Sequence, residues 1–387
     1  MRPTSEPGPT PGPRTGARRR VPAIDVLRGI AILGTLASNI WIFTVGLESW
    51  ESEPLWLTEL VSSLPNGKFL GLLTIMFGIG LEIQRQAALR AGRSWPGTYP
   101  VRAGLLFLDG VVNYVFVIQF DVLRAYAFTG LIVAFLLLTS ERVQLWIAAL
   151  FVALHVGLLV INVEGTGVDR SMTGDESMAP ADVGSGGYWS TVRNVLDNFW
   201  VGFSPGSEFT TIVVMGVAMF LLGARLYRAG VFEPAGRVLR RWLMVVGLLV
   251  ALPVDLVLRA QVLDLPLVAV QASARYGTAA VVAFGILALV AEVYQHRPVG
   301  WSGRRLADVG AMALSCYMLQ NILGVIFSHT VAPAVELSPV GALVATGALF
   351  LGISGFLVVF SGLWLRRFGR GPFELFWSWC YRTITRT

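Results

Sequence analysis

Four polar residues lie within or between two apolar runs that extend from residue 99 to residue 130. Asp109 and Asn113 are four residues apart in the first run and share one face of a helix. Asp121 occupies the corner between the runs, and Arg124 follows it by three residues. An ionisable side chain at membrane depth is costly unless it faces partners or water, so these are candidate site residues. The alternative is that a single carboxylate or amide only joins two helices through a hydrogen bond.

A buried carboxylate can serve two kinds of chemistry. An ionised Asp109 or Asp121 would act as a general base toward a hydroxyl group. The same carboxyl group, kept protonated by an apolar pocket, would act as a general acid. Asn113 lies between Asp109 and Asp121 in the chain. Its side chain is an amide, so it cannot accept a proton from the hydroxyl group.

Other apolar runs carry polar residues at related depths. At about 1.5 Å of rise per residue, four amide side chains share a level near the middle of the bilayer: Asn39, Asn113, Gln320 and Asn321. A second set lies toward the outer face: Asp121, Arg124, Asp255, Arg259, Arg275 and His329. Asp25 and Arg28 open the first run. Stacked polar layers predict a path through a bundle, although Asp25–Arg28 and Asp255–Arg259 can each be a local ion pair.

The elements that carry these residues are predicted to be transmembrane helices. The chain has 387 residues, of which 55% are hydrophobic and only 14% charged, where a soluble domain carries about a quarter charged residues. This composition predicts an all-α, polytopic transmembrane helical bundle. Ten spans are predicted, at residues 24–46, 67–84, 101–119, 121–139, 144–163, 209–228, 240–261, 271–294, 308–331 and 339–365.

Loop charges orient this bundle. Arginines fill alternate connections and the tail, whereas the connections between them are acidic, so both termini are predicted to be cytoplasmic. We expect a multi-pass protein of the cell membrane, with the lipid bilayer as partner and no nucleic acid. The predicted organisation is a disordered arm at 1–20, a membrane domain at 21–370 with a long external loop at 164–208, and an interfacial tail at 371–387. Tyr188 to Trp200 is expected to form an amphipathic element on the outer surface.

Several common site motifs are missing from the sequence. It contains no phosphate-binding P-loop, no dinucleotide glycine fingerprint, no HExxH and no GxSxG. The two cysteines, Cys316 and Cys380, have no spacing that suggests a disulfide, and no metal site is predicted. The sequence therefore predicts no bound cofactor.

Several stretches resemble one family of bacterial membrane proteins. RVPAIDVLRGIAILGTLASNI at 20–40, KFLGLLTIMFGIG at 68–80 and LDGVVNYVFVIQFDVLRAYAFTG at 108–130 are similar to motifs of the YeiB-like proteins, the domain-of-unknown-function 418 family. FLLGARLYRAGVF at 220–232, DVGAMALSCYMLQNILGVIF at 308–327 and GPFELFWSWCYRTIT at 371–385 resemble its C-terminal half. The resemblance covers nearly the whole chain after residue 20.

The resemblance implies a place in a wider membrane acyltransferase superfamily, whose members pass an acyl group from cytoplasmic acyl-CoA to an acceptor by means of a histidine. This sequence departs from the pattern at three positions. Asn113 stands where family members usually carry the histidine, Phe120 replaces a glycine before Asp121, and Ala311 replaces an arginine. Either Asp109 or Asp121 then serves as the base, or the reaction is different.

Three functions follow as hypotheses. The first is an acyltransferase in which Asp121 orients or deprotonates a hydroxyl or amine of a small-molecule or lipid-like acceptor, with Arg28 on the phosphates of acyl-CoA. Its substrate-binding residues are expected to be Asn39, Arg28, Arg124, Gln320 and Asn321. The second is an isoprenoid cyclase or isomerase with a buried Asp as general acid. The third is a non-enzymatic exporter that uses the polar layers as a pathway.

Overall fold

The protein is described by a computed structural model, which covers residues 21–47, 56–119, 121–164, 187–205, 207–260, 270 and 272–385. Its helices are α1 (Pro22–Thr44), α2 (Trp56–Ser63), α3 (Lys68–Arg90), α4 (Tyr99–Phe116), α5 (Val122–Leu136), α6 (Glu141–Glu164), α7 (Gly187–Asp197), α8 (Glu208–Arg228), α9 (Arg237–Met244), α10 (Leu252–Arg259), α11 (Ala279–His296), α12 (Trp301–Ala311), α13 (Ala313–Thr330), α14 (Pro339–Phe368) and α15 (Pro372–Thr385). Two π-helical segments, Val245–Ala251 and Ser273–Thr278, continue into α10 and α11.

The predicted all-α membrane fold is confirmed. In the described part of the chain, eight helical segments are long and apolar enough to cross a bilayer. They are Pro22–Leu47, Trp56–Arg90, Glu141–Ile161, Phe199–Arg228, Pro234–Arg259, Ser273–His296, Ala313–Ala334 and Pro339–Phe368. These segments account for eight of the ten predicted spans.

The other two predicted spans, 101–119 and 121–139, are shorter helices. Helix α4 has 18 residues and α5 has 15, so at about 1.5 Å per residue neither reaches the roughly 30 Å of a hydrocarbon core. Most of α5 is buried inside the bundle. The two helices form a short hairpin whose corner, at Asp121, lies inside the protein.

The prediction of one continuous helix at 308–331, the ninth span, is wrong. This segment breaks at Met312, which separates α12 from α13. Close packing explains the position of the break. A Cβ on Gly310 would lie 1.9 Å from the carbonyl oxygen of Asp25, and one on Gly29 would lie 1.9 Å from that of Leu306. Helices α1 and α12 therefore cross in backbone contact, and α13 begins as a new helix beside that crossing.

Loops that the charge pattern assigns to the cytoplasm meet at one end of the bundle. Arg228, at the end of α8, donates to Glu82 of α3 at 3.1 Å and to Gln144 of α6 at 2.7 Å. It also pairs with Glu141 at 3.2 Å. Gly78 lets α3 and α8 approach, because a Cβ there would lie 2.3 Å from the carbonyl oxygen of Phe220. These contacts bring the ends of α3 and α8 and the start of α6 together at one end of the bundle.

Parts of the predicted organisation fall outside the described residues. These are the arm at 1–20 and, within the external loop, residues 165–186. The amphipathic element predicted at Tyr188 to Trp200 is present as α7, which buries Val192 and Val195 and leaves Trp189 exposed. The C-terminal tail forms α15, with Trp379 exposed on its outer side.

Candidate functional site

A cavity of about 1120 Å³ opens at the end of the bundle that the loop charges assign to the cytoplasm. It is bordered by α1, α3, α4, α13 and α15 and is lined by four arginines: Arg28, Arg102, Arg370 and Arg382. We call it the arginine cavity. Ligand pockets commonly measure about 300–1,000 Å³, so this one has room for a ligand of cofactor size.

Arg28 enters the arginine cavity from the second turn of α1. Its guanidinium lies 3.6 Å from the carboxylate of Asp25, which agrees with the local pair expected from their spacing. The guanidinium also lies over Gly80 of α3, where a Cβ would be 3.5 Å from Nη2. Arg28 is thus the one predicted substrate-binding residue that lines the cavity.

Arg102 enters the same cavity from the first turn of α4. Its Nη1 donates to Gln84 Oε1 at 2.9 Å, and its guanidinium lies 4.6 Å from the centre of the Tyr381 ring. An arginine over an aromatic face gains a cation–π attraction that fixes its orientation without cancelling its charge. Arg102 therefore keeps a full positive charge at the cavity mouth.

Arg370 and Arg382 reach the cavity from the C-terminal end of the chain. Both are held by Ser378, since Arg370 Nη1 donates to its hydroxyl at 3.1 Å and Arg382 Nε donates to its carbonyl at 3.1 Å. Among the described residues, no carboxylate pairs with Arg102, Arg370 or Arg382. These three charges are therefore available to an anionic ligand.

Glu374 is the one carboxylate among the described lining residues of the cavity. Its Oε1 accepts from the backbone N–H of Leu314 at 2.9 Å and of Ser315 at 3.2 Å, and its Oε2 is bonded to the Ser315 hydroxyl. The Glu374 carboxylate thereby binds the N–H groups in the first turn of α13 and anchors α15 against that helix. Four arginines and this single carboxylate line the cavity, so its lining carries an excess of positive charge.

The deeper walls of the arginine cavity are apolar. They are formed by Ile32, Leu73, Met76, Phe77, Leu106 and Leu123, with Tyr317 beside them. The arginines are exposed or half-buried, whereas Leu73, Met76, Leu123 and Tyr317 are buried. A cationic mouth over an apolar interior suits an amphiphilic anion.

The predicted polar corner forms a compact bonded cluster outside the cavity. Asn113 donates to Asp121 Oδ1 at 2.9 Å, and the backbone N–H of Arg124 donates to Asp121 Oδ2 at 2.9 Å. Asp121 is thus the N-cap of α5. A Cβ on Gly110 would lie 2.5 Å from Asp121 Oδ2, so this glycine lets α4 pass over the cap. The structure brings these predicted residues together, in an arrangement that engages both carboxylate oxygens.

Arg124 belongs to the same cluster and not to the arginine cavity. Its Nε lies 3.6 Å from Asp121 Oδ2, and its guanidinium stacks 3.6 Å from the centre of the Tyr114 ring. Phe203 lies on it at 4.9 Å. The Arg124 side chain is almost fully buried. Its charge is compensated locally, and its predicted role in substrate binding stays a prediction.

Asp109 lies between the cluster and the cavity. It follows Leu105 and Leu106, which line the cavity, by one helical turn of α4. It interacts electrostatically with both Asp121 and Glu374. Its Oδ2 is buried and has no hydrogen-bond partner among the described residues. Of the two candidate carboxylates, Asp109 is the one with an oxygen free to accept a proton.

The remaining amides of the predicted layer lie deeper in the bundle. Gln320 and Asn321 are fully buried on α13, and within the described part of the chain neither side-chain amide has a hydrogen bond of normal geometry. Tyr317, one turn earlier, lies beside Asn321 and within electrostatic reach of Asp121. Asn39 is half-buried on α1. Gln320, Asn321 and Asn39 do not line the arginine cavity.

The outer polar residues form a separate ionic network. Asp255 is fully buried and pairs with Lys68 at 2.5 Å and with Arg259 at 3.0 Å. It also accepts from Thr278 at 2.6 Å. The interpretation of Asp255–Arg259 as a self-neutralising pair is therefore supported, with Lys68 as an additional cation. Arg275 joins α8 to this region through Glu208 at 3.2 Å.

The three histidines lie away from the arginine cavity. His155 is buried, with Nε2 3.0 Å from the carbonyl oxygen of Tyr276. His296 is exposed at the end of α11. His329 packs edge-on against Tyr188 of α7, with ring centres 5.7 Å apart. All three histidines thus lie outside the arginine cavity, whereas Asn113 supports the α5 cap through its hydrogen bond to Asp121.

Most of the charged lining of the cavity was not predicted from the sequence. The sequence pattern placed Arg102 in the predicted span 101–119 and Arg370 and Arg382 among the charges of the tail, and it did not single out Glu374 or Tyr381. A signal was present, since Glu374, Ser378, Tyr381 and Arg382 repeat at helical spacing on one face of α15. Trp377, in the predicted interfacial tail, lines the cavity.

Comparison with known proteins confirms the resemblance to the YeiB-like family. Residues 226–383 match the family model described as "Protein of unknown function (DUF418)". The chain is 21% identical over 393 residues to "Uncharacterized protein YxaH" of Bacillus subtilis (strain 168), covering 94% of each chain. It is 26% identical over 399 residues to "Uncharacterized protein YeiB" of Escherichia coli (strain K12), covering 94% of this chain and 95% of the relative.

Proposed function

We propose that this YeiB-like membrane protein is a transferase that binds an acyl-CoA donor in the arginine cavity and passes its acyl group to a hydroxyl or amine of a lipid-soluble or exported acceptor. One observation carries the proposal. Four arginines, from α1, α4 and the C-terminal end of the chain, line a single cavity, and three of them have no carboxylate partner among the described residues.

The cationic mouth and the apolar wall of the cavity support this class of donor. Arginine is well suited to phosphate groups, because its planar fork forms paired, charge-assisted hydrogen bonds. Acyl-CoA combines several phosphate charges with an apolar acyl group. The exposed arginines at the mouth suit the phosphates, and the wall of Leu73, Met76 and Leu123 suits the acyl group.

The proposed chemistry needs one base. The acceptor oxygen forms a bond to the thioester carbonyl carbon, the carbon–sulfur bond breaks, and the proton of the hydroxyl passes through the base to the CoA thiolate. Asp109 is assigned this role in place of Asp121. Both oxygens of Asp121 already accept hydrogen bonds, whereas Asp109 Oδ2 has none among the described residues and lies one turn from the cavity wall.

The other two hypotheses have less support. A cyclase that uses Asp121 as general acid needs this carboxyl group to face an apolar pocket, and Asp121 instead caps α5 and does not line the arginine cavity. An exporter of an anionic amphiphile could use the same cavity, and would bind its cargo without breaking a covalent bond. Release of free CoA separates this exporter from the transferase.

The first experiment measures binding of acetyl-CoA to the purified protein in lipid nanodiscs. Arg28→Ala is expected to raise Kd by about tenfold, because a charge-assisted contact to phosphate is removed. Arg366→Ala is the matched control, since Arg366 is exposed at the end of α14 and does not line the cavity. Equal binding by wild type and Arg28→Ala, or no binding by wild type, would overturn the proposal.

A further inference from the structure

The last membrane-spanning helix ends in a pair of exposed arginines. Only 17% of the most apolar stretch of α14 is buried in the bundle, so most of this helix faces lipid. Val359 and Leu363 are among its exposed apolar side chains. Arg366 and Arg367 follow Leu363 by one helical turn, lie on the same face and are also exposed. The lipid-facing stripe of α14 therefore ends in two cations.

No acidic side chain of the described structure compensates these two cations. Between residues 337 and 387, Glu374 is the one acidic residue, and its carboxylate is engaged by backbone N–H groups in the first turn of α13. In the described part of the chain, no ion pair joins Arg366 or Arg367 to a carboxylate. Both guanidinium groups are therefore available to an anion.

The turn after α14 fixes the next helix at the same level. Gly369 adopts a left-handed conformation, with φ of 68°, and ends α14. The indole Nε1 of Trp364 donates to the carbonyl oxygen of Arg370 at 2.8 Å. Glu374 then ties α15 to the first turn of α13, where another membrane span begins. The start of α15 is therefore held where two spans enter the bilayer.

The outer face of α15 has the composition of a membrane interface. Phe376, Trp379 and Ile384 are each more than half exposed and do not line the arginine cavity. The ring centres of Phe376 and Trp379 lie 6.1 Å apart. Tryptophan is enriched at the level of the lipid headgroups. Arg366 and Arg367, just before α15, therefore lie at headgroup level on the side that the loop charges assign to the cytoplasm.

We infer that the end of α14 is a binding site for an anionic phospholipid of the cytoplasmic leaflet. The lipid phosphate binds Arg366 and Arg367, and an acyl chain lies along Leu363 and Val359. Arginine is suited to phosphate because its planar guanidinium forms paired, charge-assisted hydrogen bonds. Basic clusters directly on the cytoplasmic side of a span attract anionic headgroups. The inference goes beyond the proposed function, since neither arginine lines the arginine cavity.

Two other occupants fit this surface less well. A soluble nucleotide would gain nothing from Val359 and Leu363, and the arginine cavity offers it four arginines in a concave site. A second copy of the chain, related by a two-fold axis, would bring the same arginine pair against itself. Like charges in contact are unfavourable, and the Glu374 carboxylate is already engaged. An anionic lipid supplies both the opposite charge and the apolar chain.

The test measures lipid binding to the full chain in mild detergent by native mass spectrometry. Dioleoyl phosphatidylglycerol and dioleoyl phosphatidylcholine are the probes, because they have the same acyl chains and differ in headgroup charge. Wild type is expected to bind phosphatidylglycerol about tenfold more tightly than phosphatidylcholine. The double change Arg366→Gln and Arg367→Gln should remove most of this preference and leave phosphatidylcholine binding unchanged.

A charge-matched control is available on the same side of the bundle. Arg90 ends α3 and Arg93 follows it in the next loop, and both side chains are exposed. Arg90→Gln with Arg93→Gln removes the same charge and should leave the preference for phosphatidylglycerol at the wild-type value. Both double variants should melt at the wild-type temperature in phosphatidylcholine nanodiscs, because all four side chains are exposed.

The other results would overturn the lipid site. No preference for phosphatidylglycerol in wild type, or an equal loss in both double variants, would leave only the general attraction of a basic surface. A lower melting temperature of the Arg366→Gln and Arg367→Gln variant would assign this pair to the support of the fold. A dimer of wild type that separates in the same variant would identify a second copy as the occupant.

Acetyl-CoA binding, measured on the same samples, separates this inference from the proposed function. The Arg366→Gln and Arg367→Gln variant should bind acetyl-CoA as wild type does, because neither residue lines the arginine cavity. Loss of acetyl-CoA binding in this variant alone would place the pair in the donor site and overturn the lipid site. No acetyl-CoA binding by wild type would overturn the proposed function and leave the lipid site standing.

Discussion

The guanidinium of Arg102 lies 4.6 Å from the centre of the Tyr381 ring, and these two residues are 279 positions apart in the chain. This contact joins the start of α4 to the C-terminal helix α15. It also completes the wall of the arginine cavity, because both residues line it. The arginine cavity thus depends on a contact between α4 and the C-terminal helix.

Removing this contact should weaken donor binding. Tyr381→Ala is expected to raise the Kd for acetyl-CoA by several-fold, because Arg102 loses the ring that orients it, and cation–π contacts at exposed sites contribute about 0.5–1 kcal/mol. Tyr381→Phe should keep most of the affinity. Trp379→Ala is the control, since Trp379 is exposed on the other side of α15. An equal loss in both alanine variants would point to the whole helix and not to this contact.

Donor binding should depend on salt concentration. Four arginines face the cavity against one engaged carboxylate, and the Debye length falls from about 10 Å at 0.1 M salt to about 3 Å at 1 M. The Kd for acetyl-CoA should therefore rise as NaCl is increased, and Arg382→Ala should reduce this dependence. A salt-independent Kd in wild type would contradict phosphate recognition by the arginines.

Glu374 should control the docking of α15. Replacing it with Gln weakens the acceptor for two backbone N–H groups of α13, at an expected cost of about 1–3 kcal/mol to docking. Cys380, half-buried on α15, is a native reporter. Its labelling by a maleimide should be faster in Glu374→Gln and slower when acetyl-CoA is bound. Cys316 is buried and provides the internal reference. Unchanged labelling would argue against this anchor.

Substitution of Asp109 and substitution of Asp121 should affect different properties of the protein. Asp109→Asn is expected to abolish acyl transfer while acetyl-CoA still binds and the melting temperature is kept, because its Oδ2 has no partner among the described residues. Asp121→Asn should mainly lower the melting temperature, since it disturbs the α5 cap and the ion pair with Arg124. Transfer by Asp109→Asn at the wild-type rate would remove Asp109 as base.

Close packing at the α5 cap can be tested with matched alanine substitutions at two glycines of α4. Gly110→Ala would place a Cβ 2.5 Å from Asp121 Oδ2 and 2.6 Å from the backbone nitrogen of Arg124. Overpacking of this kind costs about 1–3 kcal/mol, so the melting temperature should fall. Gly104→Ala, with no atom within 4 Å of its Cβ, should be neutral or slightly stabilising. Equal melting temperatures would contradict the packing of α4 over the cap.

The amino-acid sequence by itself determined the class of the fold and the polar corner. Long apolar runs require helices in a bilayer, since every backbone polar group must be satisfied within the segment. Residues close in the chain also meet as expected, because Asn113, Asp121 and Arg124 are joined by one short turn. Asp25 and Arg28 pair for the same reason.

Only the tertiary structure decided where the ligand-binding surface lies. Arg28, Arg102 and Arg382 are distant in the chain, and nothing in their spacing indicates that they line one cavity. Their convergence depends on the Gly29–Gly310 crossing and on the docking of α15 through Glu374, which are contacts between distant segments. The periodicity of a sequence indicates which face of one helix is buried. A cavity is formed by the relative placement of several helices, so the sequence pattern could not specify the cavity.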